Sequence, residues 1–140
     1  GITQKLYPNG EKAEHISYYA GKKEGIRKKW YPSRILSYTA QYAGNKLHGE
    51  VHSYWKNGTP RSLSHYKNGI VNGEQLQWYS SGVLFKKRNI IDGKEEGLQQ
   101  AWRENGKLYT NYEAKNGRIF GLKRANLCYG LDDEQVKYKD

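Results

Sequence analysis

The chain has 140 residues but no methionine, one cysteine and two phenylalanines. A single cysteine excludes an internal disulfide, and we interpret Cys128 as a small packing residue in preference to a reactive thiol. No run of about 20 apolar residues occurs, so the sequence contains no transmembrane helix. The missing methionine fits a processed chain. A removed signal peptide would place it in the periplasm or outside the cell, and the cytoplasm stays open as the alternative.

Aliphatic residues are scarce, and aromatic residues and positive charge take their place. Ile, Leu, Val and Phe together number 25, whereas 13 Tyr and 4 Trp accompany a net charge of +10. Few aliphatics with high charge would normally indicate disorder, but each enclosed aromatic buries roughly 150–250 Å². Because a tyrosine hydroxyl needs water or a partner, we expect a thin sheet with partly wet faces and a modest core.

A 24-residue period organises the chain. Glycines stand at 25, 49, 73, 97 and 121, and an aromatic or apolar residue recurs at 6, 30, 54, 78 and 102. A second column of turn formers follows, as in Asn9-Gly10, with Arg34 in place of glycine in the second unit. A third glycine column, in segments such as GKKEG and GIVNG, closes each unit. Such a period predicts stacked structural units.

Each unit is predicted to be a strand, a glycine turn, a second strand and another glycine turn. The fold class is therefore all-β: five units of 24 residues in an elongated, curved, open antiparallel meander of about ten strands. If pairs such as Asn9-Gly10 form two-residue turns, Tyr31 lies opposite Leu36 and Tyr79 opposite Leu84. The column of Tyr18, Tyr42 and Tyr66 then shares a face with Trp55.

Three units resemble the bacterial variant of the MORN (membrane occupation and recognition nexus) repeat: WYPSRILSYTAQYAGNKLHGE, YWKNGTPRSLSHYKNGIVNGE and WYSSGVLFKKRNIIDGKEEG. The resemblance covers about residues 6–125 and implies a meander of hairpins, with members that act as scaffolds, membrane-proximal modules or antitoxin-like partners. Arg103 replaces an aromatic residue, and Ile90 and Ala114 replace tyrosines, so we expect the fourth and fifth units to pack differently. The predicted domains are the repeats, 1–125, and a C-terminal cap with a polar tail, 126–140.

No catalytic, metal-binding or cofactor motif is present, which predicts a non-enzymatic protein without a cofactor. His48 and His52 would lie about 13 Å apart along a strand, too far for one metal ion.

Residues 1–70 carry 12 Lys/Arg and 4 Asp/Glu, whereas residues 71–140 carry 12 and 10, so the first half holds +8 of the net charge. The candidate binding residues are the cations of this half and an aromatic set: Lys22, Lys23, Arg27, Lys28, Lys29, Tyr42, Trp55 and Tyr66.

These residues favour a scaffold that binds an unidentified protein partner, with an antitoxin-like role as a special case. The alternative is peripheral attachment to an anionic membrane through the basic N-terminal half. Single-stranded nucleic acid is disfavoured because the aromatic residues follow the structural period, so packing explains them first. The aromatic columns themselves are read mainly as core, with a binding groove as the second interpretation.

Overall fold

The computed structural model describes residues 1–121, and its secondary structure is entirely β. The predicted cap and tail at 126–140 lie outside the described residues. The strands are β1 (Ile2–Leu6), β2 (Lys12–Tyr19), β3 (Lys22–Trp30), β4 (Leu36–Ala43), β5 (Lys46–Tyr54), β6 (Pro60–Lys67), β7 (Ile70–Val71), β8 (Gly73–Trp78), β9 (Leu84–Ile91), β10 (Lys94–Glu95), β11 (Gly97–Trp102), β12 (Leu108–Lys115) and β13 (Arg118–Phe120).

All 13 strands form one antiparallel sheet in which neighbours in sequence are neighbours in space. The predicted all-β meander of hairpins is confirmed. Two long strands are interrupted, with β7 and β8 separated at Asn72 and β10 and β11 at Glu96, so the 13 strands correspond to 11 continuous ones, close to the ten expected. No helix among residues 1–121 has the length and apolarity needed to cross a membrane.

The closing turn of each unit is the two-residue hairpin that the glycine column predicts. Asn68 and Gly69 have φ values of 50° and 83°, and the flanking residues Lys67 and Ile70 pair with each other. Positive φ at both central positions is the type I′ conformation, whose twist matches that of the strands. The other four such turns are Ala20-Gly21, Gly44-Asn45, Asp92-Gly93 and Asn116-Gly117.

The other turn in each unit differs from the predicted two-residue form. The amide of Gly10 donates to the carbonyl of Tyr7, and the amide of Tyr7 donates to the carbonyl of Glu11. This is a three-residue loop whose glycine, at φ 87°, occupies the left-handed region. The extra residue makes a bulge at the end of the hairpin, where Trp30 pairs with Leu36, so the predicted pairing of Tyr31 with Leu36 is wrong. Beyond the bulge Lys29 pairs with Tyr38, which is the register that the predicted two-residue turn also gives.

An aromatic side chain in each of these loops binds the next unit. The hydroxyl of Tyr31 donates to the carbonyl of Tyr54 at 2.6 Å, 23 residues further along the chain. Equivalent bonds are made by Tyr7 to Trp30, Trp55 to Trp78 and Tyr79 to Trp102. We call these four contacts the aromatic clamps. The aromatic residues of this column therefore recur in the sequence because each donates a hydrogen bond to the next unit, in addition to its packing.

Candidate functional site

The register divides the side chains between two faces with different chemistry. Glu14, Lys29, Tyr38 and Ser53 are paired partners on successive strands, so they share one face. His15, the sequence neighbour of Glu14, and the residues that pair with it on successive strands, Lys28, Thr39 and His52, share the other face. We call the first the tyrosine face, because it carries Tyr18, Tyr38, Tyr42, Tyr66 and Tyr112, and the second the histidine face, because it carries His15, His52 and His65.

Burial is confined to the tyrosine face. Every residue of the described chain that is less than 9% exposed lies there, and the set is Glu14, Ile16, Ala40, Ile90, Gln99, Ala101 and Ala114. Small side chains are covered by longer neighbours. Ala40, for example, is fully buried between its paired residues Arg27 on β3 and Val51 on β5. The modest core that the composition predicts is therefore one layer of side chains on a single face.

The faces also differ in charge. In the central parts of the strands the tyrosine face carries five cations and one acid, for a net charge of +4: Lys5, Arg27, Lys29, Lys86 and Arg88 against Glu14. The central parts of the histidine face carry two cations and three acids, for a net charge of −1: Lys28 and Lys87 against Glu50, Glu74 and Glu113. At the strand ends beside the type I′ turns the histidine face also carries cations, such as Lys22 and Lys67. In the middle of the sheet the basic surplus therefore belongs to the tyrosine face.

A first cluster on the tyrosine face surrounds a buried ion pair on β2 and β3. Arg27 donates from Nε and Nη2 to one oxygen of Glu14, at 2.8 and 2.6 Å. Burial alone would raise the pKa of Glu14, but the hydrogen bond and charge of Arg27, helped by Lys5 and Lys29, outweigh it and lower that pKa. Glu14 is therefore ionised at neutral pH and holds Arg27 in place.

Tyrosine rings accompany the cations of this cluster. The ammonium of Lys23 lies 5.3 Å from the ring centroid of Tyr42, and Lys29 lies 5.3 Å from the ring of Tyr38. Such contacts hold a cation by the negative face of the ring. Burial, with a smaller effect of neighbouring tyrosines, raises the pKa of Tyr38, so this ring stays neutral.

A second cluster lies on β9 to β12. Arg88 donates to Glu95 at 3.1 Å, and the hydroxyl of Tyr112 donates to the other oxygen of Glu95 at 2.8 Å. Burial and this bond to a carboxylate raise the pKa of Tyr112 to about 12. The cluster borders a pocket of about 250 Å³ that Lys86 and Ala101 also line.

Serine side chains lie between the clusters together with two larger residues. Ser53, Ser62 and Ser64 lie on β5 and β6 beside Tyr66, the hydroxyls of Ser53 and Ser62 are hydrogen-bonded, and Gln75 on β8 donates to Ser64. From β3 to β9 there are five strand steps, which separates the two clusters by about 24 Å. We call this strip of the tyrosine face, with a cationic, tyrosine-bearing cluster at each end, the trough.

The structure brings only part of the sequence-predicted site together. Lys23, Arg27, Lys29, Tyr42 and Tyr66 share the tyrosine face, whereas Lys28 is on the histidine face and Lys22 flanks an exposed turn. The predicted grouping of Trp55 with Tyr42 and Tyr66 is not observed. Trp55 lies in the loop at the far end of β5, where it forms an aromatic clamp and where Arg61 lies 4.6 Å from its ring.

Four residues of the trough were not singled out in the sequence: Glu14, Tyr38, Lys86 and Arg88. Alternation along the strands, in the register that the predicted turns give, would have identified them. The predicted difference in the later units is observed at Gln99. Its amide bonds the backbone of Asn89 at 3.0 and 2.7 Å, where β9 and β11 have only two backbone-paired residues each.

Arg103, which replaces an aromatic residue, lies over another ring. Its guanidinium is 4.9 Å from the ring of Tyr109, and its Nε and Nη2 are buried without a hydrogen-bond partner.

The histidines do not form a metal site: His48 Nδ1 accepts from the amide of Asn68, and His52 contacts Glu50. Within residues 1–121 no group of three or more His, Cys, Asp or Glu side chains could hold a metal ion.

Comparison with known proteins gives a match to a family model. No curated protein matches the chain. Residues 47–68 match the model of the MORN repeat variant. This segment runs from β5 through β6 and contains one three-residue loop, one aromatic clamp and one type I′ turn residue. MORN repeats are in general non-catalytic modules that bind proteins or membranes. The match supports a similarity between this part of the chain and the MORN repeat family.

Proposed function

We propose that this chain is a non-catalytic scaffold that binds an elongated acidic segment of a protein partner in the trough of the tyrosine face. The main support is the charge difference between the central parts of the two faces, +4 against −1, combined with tyrosine rings beside the cations. Aromatic and basic side chains together are characteristic of interaction surfaces, because they supply large contact areas and charge complementarity. An antitoxin-like role, in which the partner is a sequestered toxin of a bacterial system, is one instance of this function.

The partner must span the trough to reach both clusters. An acidic group near Lys29 and another near Lys86 would lie about 24 Å apart, which corresponds to about seven residues of extended chain or about 16 residues of helix. The serine side chains between the clusters leave room for a backbone to approach. A compact acidic ligand would reach only one cluster and would bind correspondingly less tightly.

The test compares two double variants whose substitutions are neighbours in sequence but lie on opposite faces. Lys29→Gln with Lys86→Gln alters the tyrosine face, and Lys28→Gln with Lys87→Gln alters the histidine face. Proteins captured from the source organism are compared by quantitative mass spectrometry, and Kd is then measured for the purified partner.

We expect a partner that the parent and the histidine-face variant retain, and that the tyrosine-face variant binds at least about tenfold more weakly, a loss of about 1.4 kcal/mol. Equal weakening by the two variants would indicate nonspecific charge attraction, and unchanged binding by both would exclude the trough. Either result would refute the proposal.

A further inference from the structure

A row of aromatic side chains follows the border between the histidine face and the three-residue loops. Each of the three middle units contributes the last residue of its first strand and the first residue of the loop after it. We call these three pairs the aromatic belt: Trp30 and Tyr31, Tyr54 and Trp55, and Trp78 and Tyr79. All six side chains are half-buried, so each keeps part of its surface in water. The belt shares no residue with the trough.

Contacts of the belt place it beside the histidine face. The ring of Tyr54 stacks on that of His52, with the ring centroids 6.3 Å apart. Trp30 lines a groove of about 510 Å³ together with His15 and Lys28. Three of the six side chains are aromatic clamps, whose bonds to the next unit fix their rings. The belt is therefore ordered before any ligand arrives, which lowers the entropy cost of binding.

Two indole N–H groups of the belt are free to donate to a ligand. The indole of Trp55 donates to the carbonyl of Trp78, but those of Trp30 and Trp78 have no acceptor within residues 1–121. In that part of the chain the side-chain nitrogens that are both buried and unpartnered are those of Arg103, so these two indole groups contact water. A ligand with free backbone carbonyls can accept from them.

The spacing of the belt matches one regular peptide conformation. Successive pairs are two strands apart, which gives about 9.6 Å. A polyproline II helix advances about 3.1 Å per residue with three residues per turn, so every third side chain faces the same side at intervals of about 9.3 Å. An α-helix repeats after two turns, at about 10.8 Å, and an extended strand after two residues, at about 6.7 Å. Over the two intervals of the belt the polyproline II helix deviates by about 0.6 Å and the α-helix by about 2.4 Å.

Cations border the belt. The ammonium of Lys12 lies 5.9 Å from the ring centroid of Trp30, and the guanidinium of Arg61 lies 4.6 Å from that of Trp55. Such contacts hold the cations beside the rings. The segments 7–12, 30–36, 54–61, 78–85 and 102–109 together hold six cations and two acids, for a net charge of +4: Lys12, Arg34, Lys56, Arg61, Arg103 and Lys107 against Glu11 and Glu104. This charge favours a ligand with acidic residues.

We infer that the aromatic belt binds a proline-rich segment of a partner protein in the polyproline II conformation, with proline at every third position and acidic residues between the prolines. Each proline ring packs on one aromatic pair, as in other aromatic-lined grooves that bind such segments. A polyproline II helix has no internal hydrogen bonds, so its carbonyls accept from Trp30 and Trp78. This site and the trough lie on opposite faces, and each can be tested without the other.

The experiment measures binding of labelled, end-blocked peptides to the full chain by fluorescence anisotropy. The peptides are PEAPEAP, its neutral counterpart PQAPQAP and the isomer PEPEPAA, whose prolines point to three different sides of the helix. The belt variant is Trp30→Phe with Trp78→Phe, which keeps the rings and removes the two N–H donors. The control variant is Lys29→Gln with Lys86→Gln, which alters the trough. Circular dichroism confirms that both variants retain the fold.

We expect the parent to bind PEAPEAP at least about tenfold more tightly than PEPEPAA, because the isomer packs one proline on the belt instead of three. The neutral peptide should bind about threefold more weakly than PEAPEAP. The belt variant should lose about tenfold through its two missing hydrogen bonds, and the trough variant should bind as the parent does. Equal affinity for the two isomers, no binding by the parent, no loss in the belt variant or an equal loss in the trough variant would overturn the inference. Tighter binding of a thymidine decamer than of PEAPEAP would also overturn it and would indicate a site for single-stranded nucleic acid.

Discussion

Replacing Gly73 tests the most constrained backbone position of the repeat. Gly73 has φ +122°, a conformation available in practice only to glycine, and a β carbon added there would lie 3.2 Å from Cβ of His65. The backbone strain costs about 1–3 kcal/mol. The contact is closer than most carbon atoms allow, so His65 must shift, which adds about 1 kcal/mol. Gly73→Ala should therefore destabilise the protein by about 2–4 kcal/mol, and Gly73→Val by more.

Gly97 provides a control at the same position of the next unit. Its φ is +99°, and a β carbon there would lie 3.7 Å from Cβ of Asn89, which is an ordinary contact. Gly97→Ala should therefore cost only the backbone strain, at least about 1 kcal/mol less than Gly73→Ala. The free energy of unfolding can be measured in urea by the fluorescence of the four tryptophans. A Gly73→Ala midpoint equal to that of the parent would refute the strain argument, and equal midpoints for the two variants would refute the close approach.

Three further substitutions test the clamps, the ion pair and the turns. Tyr31→Phe removes the donor to the carbonyl of Tyr54 and should cost about 1–2 kcal/mol in urea unfolding. Glu14→Gln should cost about 1–3 kcal/mol at pH 7 by leaving Arg27 without its carboxylate. The pKa of Glu14 is lowered in the folded state, so its stabilising effect is present above the unfolded pKa and is lost as the pH falls through the folded pKa. The Tm of Glu14→Gln should therefore depend less on acid pH than the Tm of the parent. Ala20→Asn should stabilise by about 0.5–1 kcal/mol, since alanine at φ 51° is strained where asparagine is tolerated.

Each of these predictions has a control in the same chain. Tyr19→Phe alters a hydroxyl that is 75% exposed and should leave stability unchanged. Glu113→Gln alters an exposed carboxylate and should leave the free energy of unfolding at pH 7 unchanged. Asn68→Ala places alanine in the equivalent type I′ position at φ 50° and should destabilise by the amount that Ala20→Asn gains. A stabilising effect of Asn68→Ala would contradict the turn argument.

The sequence was sufficient for the repeat and for the meander of hairpins. A period of 24 residues with two turn signals fixes hairpins of similar length, and antiparallel hairpins of that length pair with their neighbours. The pairing directly beside the other loops was wrong because Asn9-Gly10 and its equivalents belong to three-residue loops. The difference is confined to a bulge, because Lys29 and Tyr38 pair as a two-residue turn would also require, and composition does not show whether a glycine lies inside a two-residue turn or after it.

The candidate site was only partly predictable because neighbours in sequence do not share a surface on a strand. The cations from Lys22 to Lys29 lie close together in sequence, but a strand sends neighbouring side chains to opposite faces, so Lys28 and Lys29 belong to different surfaces. A variant that removes all of these cations would alter both faces and the turn at Ala20-Gly21 together.

By itself the sequence determined the unit, its length and its number, because glycine and aromatic residues recur wherever the backbone needs positive φ or a clamp. The tertiary structure alone decided which charges meet. Lys29 and Lys86 are 57 residues apart in the chain, yet the stacked strands place them on one row of one face. The cations beside the five type I′ turns, from Lys22 to Arg118, lie along one edge of the sheet because bonds between units hold successive turns in register.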